Sequence, residues 1–471
     1  MDLILEKKLK RQLIIIQAML KNYTTISLQE VAELTNVSIK TSEKDLQEIS
    51  LTLQEDYELK QTRHHTYYLT DASSNDWTTI YYLYLKKSVV YYFLTASMRG
   101  RSNIRKGSRD IFISESHLYK KVMLFNNIMP EDIKLSTSAL RLSGNEISIR
   151  YLLWKIIRDD PDLEAWGITN AIYQEAVHTI NMIQKVTHIE LCPSAQNKMI
   201  IWAAICKIRR KEHPVTSQEM RRYVLKKDIN IEKMSILYDK FASKTDNTNE
   251  IMLVLNGLRL TPSSYMQLTQ SWFIESSKVV KWVNYLFKKL KIENSVESKK
   301  LKILVTDLVT FSNHFVHMYE LKNETVQIHS LLGQIIYSYI ASQIKQVVSA
   351  DKNRSVYNDR FQKFLTDLIY IHGWSILRNQ VMQPVYISVY NSYSKELRKI
   401  IEKKINTYFE GYIEIKNKER EIIISDCPLS DDKATDVIIW KNVPDDNDWK
   451  RLEKKVSQIF YQKNSFLQNS I

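Results

Sequence analysis

The stretch SLQEVAELTNVSIKTSEKDLQEI, residues 27–49, has the pattern of a helix, a tight turn and a second helix. Ser27 stands three residues before Glu30, which is the spacing of a capping box, where each side chain binds the backbone amide of the other residue. The Asn-Val pair at 36–37 interrupts the apolar period, and Ser38 can cap the next helix. The stretch therefore predicts a helix-turn-helix.

The two helices of this stretch each have a buried and an exposed side. The apolar positions expected in the core are Leu28, Val31, Ala32 and Leu34 on the first helix and Ile39, Leu46 and Ile49 on the second. The polar positions expected to face outward on the second helix are Lys40, Thr41, Lys44 and Gln47. Such side chains can reach phosphates and base edges in a DNA major groove.

Two short strands are predicted after this stretch, at 57–59 and 66–69. Arg63, His64 and His65 lie between them. This arrangement predicts a wing with a basic tip, and it makes Arg63 a candidate for a phosphate contact.

The segment ISESHLYKKVMLFN, residues 113–126, repeats the plan with different residues. Ser114 can cap a helix at its start. The positions of the buried side of that helix are Leu118, Val122 and Phe125. The positions expected to face outward, toward DNA, are Ser116, His117, Lys120 and Lys121. A two-stranded wing is predicted over 134–144, where Gly144 closes it.

A basic run precedes this second unit. The segment RGRSNIRKGSRD, residues 99–110, has five cationic residues before its first acid, Asp110. Such a run must be solvated, and it suits a phosphate backbone. Arg101 and Arg105 are therefore candidates for contacts with the DNA backbone.

Composition predicts a mainly α-helical protein of several domains. The chain has 471 residues, which is more than one hydrophobic core normally serves. Only 8 glycines and 8 prolines leave few helix breakers, which favours long helices over a sheet-rich enzyme. The formal net charge of +14 suits a polyanionic partner, although surplus lysine can also serve solubility alone.

Several kinds of site are not expected. The cysteines, Cys192, Cys206 and Cys427, have neither the spacing of a metal pair nor the number of a disulfide framework. The sequence contains no glycine-rich phosphate loop and no His-Glu-x-x-His site, so we predict a protein that is not an enzyme and has no metal, cofactor or catalytic residue. No secretion signal and no apolar run of about twenty residues is present, which predicts a cytoplasmic, nucleoid-associated protein without a membrane partner.

The second unit resembles the Mga family of virulence regulators from Gram-positive bacteria. This resemblance is carried by residues 113–127, by the wing that follows and by LSGNEISIRYLLWKII, 142–157. VSIKTSEKDLQEI, 37–49, is similar to the first helix-turn-helix of that family and of sugar-operon regulators. One departure is Ser42, where these helices usually have an apolar residue. The resemblance implies mostly transcriptional activation, of virulence or carbohydrate-linked genes, with a preference for bendable or A·T-rich DNA.

The patterns predict five domains. They are a first winged helix-turn-helix, 1–72, a second of the Mga type, 73–160, helical bundles at 161–290 and 291–382, and a small α/β domain, 383–471. A charged stretch, KKLKIENSVESKK, separates the two bundles. In the Mga-type architecture the bundles are phosphotransferase-regulation domains, whose histidines can accept phosphate from the sugar phosphotransferase system and its phosphocarrier protein.

Four histidines are candidates for phosphorylation. His213 follows three cationic residues at 209–211, which would stabilise a phosphorylated imidazole. An ordinary exposed histidine at a helix C-terminus explains the same neighbours equally well. His314 and His317 lie three residues apart on a predicted helix and could be a metal pair, a phosphoacceptor site or flanks of a core stripe. His372 stands shortly before the last domain.

The last domain has the order strand, helix, three strands, helix, which predicts a small α/β sheet. It resembles the enzyme IIB-like phosphotransferase domain of Mga-type regulators. An active phosphotransferase domain of this type needs a nucleophilic cysteine after its first strand. Here that segment is Asn-Ser-Tyr-Ser, 391–394, and Cys427 follows a later strand. We therefore predict that this domain forms a homodimer and does not transfer phosphate.

The leading hypothesis is a homodimeric regulator that binds double-stranded DNA and is tuned by histidine phosphorylation. The alternatives are a phosphotransferase-linked RNA-binding antiterminator and a non-enzymatic protein-interaction regulator. The winged helices favour DNA, because A-form RNA hides its major groove from a recognition helix.

Overall fold

The computed structural model describes residues 5–22, 25–53, 57–63, 65–70, 76–100, 103–129, 132–220, 248–260, 277–314, 331–350, 359–390, 395–409, 411–416, 420–426, 436–440 and 444–465. The chain divides into two compact units, Met1–Tyr265 and Met266–Ile471. Helices predominate in both units, so the predicted mainly α, multidomain fold is confirmed. The predicted boundaries of the five domains stay predictions.

The first unit begins with three helices and a small antiparallel sheet. The helices are α1 (Lys7–Asn22), α2 (Leu28–Thr35) and α3 (Ile39–Leu53). The strands are β1 (Ile26–Ser27), β2 (Glu58–Gln61) and β3 (Thr66–Thr70), in the order β1-β3-β2. Leu59 lies opposite Leu69, and Ile26 lies opposite Tyr67. The core beneath them contains Ile15, Ile16, Val31, Leu46 and Ile49.

The next part of the first unit has the same plan. Its helices are α4 (Trp77–Lys86), α5 (Val89–Arg99), α6 (Ile104–Asp110), α7 (Glu115–Ile128) and α8 (Glu146–Ile157). A hairpin of β4 (Ile133–Leu135) and β5 (Leu142–Gly144) lies between α7 and α8. Gly144 has a φ of 127°, and a Cβ there would lie 2.0 Å from the carbonyl oxygen of Asp132. Only glycine fits at the end of this hairpin.

Four further α-helices and two short 3-10 helices, Glu164–Trp166 and Gly257–Leu260, complete the described part of the first unit. The α-helices are α9 (Asn170–Thr187), α10 (Pro193–Arg209), the one-turn α11 (Ser217–Met220) and α12 (Thr248–Asn256). Thr169 caps α9, and Pro193 occupies the first turn of α10, where its missing N–H leaves no donor unpaired. Helices α9 and α12 both pack against α10.

The second unit begins with long helices. They are α13 (Ser277–Lys289), α14 (Val296–His314), α15 (Leu331–Ser349) and α16 (Asp359–Val381). Helix α16 packs against both α14 and α15. Gly373 lies where α16 approaches α14 closely, because a Cβ at this position would come within 2.9 Å of a Leu301 methyl carbon.

A parallel sheet follows in the second unit. Its elements are β6 (Val385–Tyr390), α17 (Lys395–Tyr408), β7 (Ile413–Ile415), β8 (Ile422–Ser425), β9 (Asp436–Ile439) and α18 (Asp446–Lys463). The strand order is β7-β6-β8-β9, with every neighbouring pair parallel. The predicted succession of strand, helix, three strands and helix is present, and the apolar runs of β6 and β8 lie at the centre of the sheet.

Candidate DNA interface

The first helix-turn-helix has the capping that its sequence predicts. The Ser27 amide donates to Glu30 Oε2 at 2.7 Å, and the Glu30 amide donates to Ser27 Oγ at 3.2 Å. Asn36 ends α2 in the left-handed conformation, with a φ of 54°. The Thr41 amide then donates to Ser38 Oγ at 3.3 Å in the first turn of α3. These contacts set the turn between the two helices.

The outward face of α3 carries the predicted polar residues. Lys40, Lys44 and Gln47 are exposed, and Thr41 is half-buried with its hydroxyl 2.9 Å from that of Ser38. Lys40 and Lys44 lie one turn apart on the same side of the helix. They can therefore approach one phosphate strand together.

Two apolar positions beside the turn are not in the core, and their prediction was wrong. Leu34 is exposed at the end of α2, and Ile39 is 55% exposed at the start of α3. Both residues lie in the helical turn next to the connection between α2 and α3, outside the row of buried side chains on α3. That row begins only at Ser42 and continues through Leu46 and Ile49.

Polar contacts attach α3 to α1, and the sequence reasoning did not identify them. Asp45 is buried and accepts hydrogen bonds from the Arg11 guanidinium, including one at 3.0 Å to Nη2. Glu48 accepts from Lys8 and Gln12, both at 2.7 Å. The acids are three apart on α3 and their partners lie on one side of α1. This spacing was visible in the sequence, but which helices would face each other was not.

Ser42 is fully buried where an apolar residue was expected from the family resemblance. Its hydroxyl donates to the Ser38 carbonyl at 3.2 Å, so the polar atom is satisfied within the helix. The position is therefore compatible with the core.

The first wing is the β2–β3 hairpin, and Arg63 lies exposed in its turn. The hairpin turn is closed by the Thr62 amide, which donates to the Thr66 carbonyl at 2.7 Å. Strand β1 pairs with β3, so the wing is joined to the start of α2. His64 lies outside the described residues.

The second helix-turn-helix consists of α6 and α7. Asn103 caps α6 by accepting from the Lys106 amide at 2.8 Å, and Ser114 caps α7 by accepting from the His117 amide at 3.2 Å. Much of the basic run therefore forms a helix, on which Arg105 is exposed together with its cationic neighbours. Arg101 lies outside the described residues.

Helix α7 has the predicted buried side. Leu118, Val122 and Phe125 are buried. Ser116, His117 and Lys120 are exposed. Lys121 differs from its neighbours because its Nζ lies 3.6 Å from Glu6 Oε1 and its side chain is half-buried. Lys121 therefore lies at the edge of the outward face, beside the chain that leads into α1.

The second wing is the β4–β5 hairpin, and side chains of α5 and α7 hold it. Asn126 accepts from the Leu135 amide at 2.7 Å and donates to the Leu135 carbonyl at 3.0 Å. Ser97 accepts from the Leu142 amide at 2.9 Å. Arg141, just before β5, donates to the Gly100 carbonyl at 2.7 Å. These hydrogen bonds fix the position of the second wing relative to α7.

A buried cluster of charges joins α8 to α10 and α12. Arg150 donates to Glu146 at 2.9 Å and makes a two-pronged ion pair with Glu250. Arg209 makes a second two-pronged pair with Glu146, at 2.9 and 2.7 Å. All four side chains are buried. Each charge has an opposite partner, which is the condition under which buried charges are tolerated.

His213 lies in the loop between α10 and α11, residues 210–216, which is hydrogen-bonded to this cluster and is called the His213 loop below. Arg150 donates to the His213 carbonyl at 2.9 Å, and the neighbouring Glu212 lies 3.4 Å from Arg141 of the second wing. The imidazole is half-buried, and burial, followed by the charge of Arg209, lowers the pKa of His213. The loop therefore contacts both the buried cluster and the wing.

Residues 74–155 match the family model of the Mga helix-turn-helix domain. The match runs from the segment before α4 into α8, so it includes α6, α7 and the second wing. It supports a DNA-binding transcription regulator, as the sequence resemblance implied. No curated protein matches the chain. The stretch 74–155 is called the Mga domain below.

Like His213, the other candidate histidines lie outside the Mga domain. Helix α14 ends at His314, whose side chain lies outside the described part of the structure. His317 lies outside the described residues altogether. His372 is half-buried on α16, and burial lowers its pKa. Residues 391–394 and Cys427, on which the resemblance to an enzyme IIB-like domain depends, also lie outside the described residues.

Two further kinds of feature are absent from the residues that the structure describes. Among these ranges, no group of three or more His, Cys, Asp and Glu side chains could hold a metal ion. No helix in the described part of the chain combines the length and the apolar character that a membrane crossing requires.

Proposed function

We propose that this chain is a transcription regulator that binds double-stranded DNA through two winged helix-turn-helix units. The observation that carries the proposal is the outward face of α7 in the Mga domain, where Ser116, His117 and Lys120 are exposed on a capped helix beside a wing. The side chains of α3 repeat this arrangement with Lys40 and Lys44. Two such helices support an extended DNA site.

The experiment that tests this proposal measures gel-shift affinity for A·T-rich promoter fragments over a salt series. Lys120→Ala should weaken binding to every fragment and reduce the salt slope by about 1, because one phosphate is no longer neutralised. Lys299→Ala is the matched control, since Lys299 is an exposed helical lysine in the second unit and its replacement changes the net charge equally. An equal effect of both variants would argue that only total charge matters.

We further propose that the regulator acts mainly as an activator of virulence or carbohydrate-linked genes at the bacterial nucleoid. Support comes from the resemblance to Mga-type regulators. DNA deformability would then contribute to site choice, because two winged heads on one chain bind best where the duplex bends toward both.

Phosphorylation of His213 is the input that we propose. A phosphoacceptor imidazole must be unprotonated, and the lowered pKa of His213 favours this state at neutral pH. Arg210 and Lys211 stand beside it in sequence. A phosphoryl group at His213 would compete with Glu212 for Arg141, which lies 3.4 Å from Glu212 and immediately before β5. The position of the second wing would change as a result.

This input is tested by incubating the protein with the phosphorylated phosphocarrier of the phosphotransferase system and measuring acid-labile phosphate. His213→Ala should remove the label, whereas His178→Ala, which replaces an exposed histidine on α9, should retain it. Label that persists in His213→Ala would exclude His213 and direct the same test to His314, His317 and His372.

Homodimerisation through the C-terminal α/β domain is the last part of the proposal. Strand β9 is one of the two edge strands of the described sheet, and Val437 and Ile439 on it are exposed. An exposed apolar edge strand is a surface that a second copy can cover. In the full chain, Val437→Lys with Ile439→Lys should halve the mass measured by light scattering. Ile400→Lys, at another exposed apolar position of this domain, is the control. An unchanged mass of the double variant would contradict the proposal.

A further inference from the structure

The outward face of α7 also carries large apolar side chains. Tyr119 is 48% exposed, Met123 is 43% exposed and Leu124 is 56% exposed. Met123 and Leu124 lie on the side of the helix opposite the buried Leu118, Val122 and Phe125, and Tyr119 lies at the edge between the two sides, one turn before Met123. Grouped apolar exposure on one helix commonly marks a contact surface, whereas single exposed residues are ordinary.

The apolar groups share this face with polar ones. With 3.6 residues per turn, Met123 lies one turn beyond both Tyr119 and Lys120, and Ser116 lies one turn before Lys120. Along the centre of this face, the polar Ser116 and Lys120 are therefore followed, one turn after Lys120, by the apolar Met123. A helix in a major groove meets successive base edges in this way.

Cationic residues on the elements that pack against α7 favour an anionic occupant of this face. Arg105, Lys106 and Arg109 are exposed on α6, and Lys134 is exposed on β4 of the second wing. A protein partner with an apolar surface would not require this cationic border. Double-stranded DNA meets both conditions, since its phosphates are anionic and its major groove contains one kind of apolar group.

We propose that Met123 and Tyr119 recognise the C5-methyl groups of thymine in the major groove. This inference rests on the proposed function. Thymine is the only base of ordinary DNA that presents a methyl group there. Methionine has a flexible, polarisable side chain that can adapt to methyl groups at slightly different positions. A preference for A·T-rich DNA then has a direct cause in addition to DNA bending.

The test replaces every thymine of an A·T-rich duplex of about 40 base pairs, long enough for several adjacent half-sites, with deoxyuridine. Deoxyuridine pairs as thymine does and lacks only the methyl group. The full-length protein should bind the deoxyuridine duplex about fourfold more weakly for each methyl group that it recognises. Both affinities are measured at one salt concentration by fluorescence anisotropy.

Variants separate recognition of methyl groups from effects of deoxyuridine on duplex stiffness. The double variant Tyr119→Ser with Met123→Ser should bind both duplexes equally. It lacks the apolar side chains, whereas any effect of deoxyuridine on duplex stiffness is the same for it as for the wild-type protein. Met123→Leu should keep a preference for thymine. Lys120→Ala should weaken binding to both duplexes by the same factor. Thermal melting of each variant verifies its fold, which these exposed positions should not disturb.

The outcomes distinguish this inference from the proposed function. Equal affinity of the wild-type protein for both duplexes would overturn the recognition of methyl groups while leaving DNA binding intact. A thymine preference that persists unchanged in the double serine variant would also overturn it. Absence of binding to either duplex at low salt would overturn the proposed function itself.

Discussion

At the scale of single residues, Phe112 is the least expected side chain of the Mga domain. It lies in the turn between α6 and α7, has a φ of 55° and is 95% exposed. Left-handed backbone is unfavourable for a residue with a Cβ, and a bulky residue there is unusual. No core packing offsets this cost at so exposed a position.

We predict that Phe112→Asn stabilises the free protein by about 0.5–1 kcal/mol, because asparagine tolerates left-handed backbone better. The expected result is a higher melting temperature of the first unit in differential scanning calorimetry. Phe112→Ala is the control, since it removes the same ring but remains disfavoured in this conformation. A lower melting temperature of Phe112→Asn would show that the ring packs against the protein in solution.

At the scale of elements, the orientation of α3 depends on α1. Asp45 is buried against Arg11, so α3 is attached to α1 through a carboxylate that water does not screen. Removal of one partner from such a pair leaves an uncompensated charge, which costs more than the pair contributes. The exposed pair of Lys60 and Glu58 on the first wing lacks this property.

We predict that Arg11→Ala destabilises the first winged unit by about 2 kcal/mol, less than for a fully buried pair because Arg11 is partly exposed. Lys60→Ala should change the stability by less than about 1 kcal/mol. Thermal unfolding measures both, and hydrogen exchange should show faster opening of α3 in Arg11→Ala alone. Equal effects of the two variants would mean that the Asp45 contact does not orient α3.

At the scale of the molecule, the buried charge cluster couples the Mga domain to the helices that follow it in the first unit. Arg150 and Glu146 lie on α8, Arg209 ends α10 and Glu250 lies on α12. The His213 loop is bonded to the same cluster, since the Val215 amide donates to Glu250 at 2.8 Å. A change in this loop can therefore reach α8 through direct contacts.

We predict that Arg150→Met destabilises the first unit by about 3–5 kcal/mol, because it leaves Glu250 buried without its main partner. Lys86→Met is the control, since the Lys86–Asp162 pair is more exposed, and its effect should stay below about 1 kcal/mol. Calorimetry measures both, and DNA affinity should fall only for Arg150→Met. A mild effect of Arg150→Met would indicate that water or protonation compensates the cluster.

Much of the candidate site was predictable from local pattern. The capping residues Ser27, Ser38 and Ser114, the buried side of α7 and the hairpin wings all depend on residues close in sequence. Lys40, Lys44 and Lys120 face outward as predicted for the same reason. Ile39 and Lys121 differ, because their exposure depends on where the packed stripe of α3 begins and on Glu6 of a distant segment.

Local sequence was sufficient to predict the helical content, the two helix-turn-helix patterns and the succession of elements in the last domain. These properties follow from periodicity, capping and turn chemistry, which act over a few residues. The folded chain was needed to show that Asp45 meets Arg11, that Arg150 meets Glu250 and that the His213 loop contacts the second wing. Such pairings join residues from 34 to 100 positions apart, and many alternative partners of the same charge were available in the sequence.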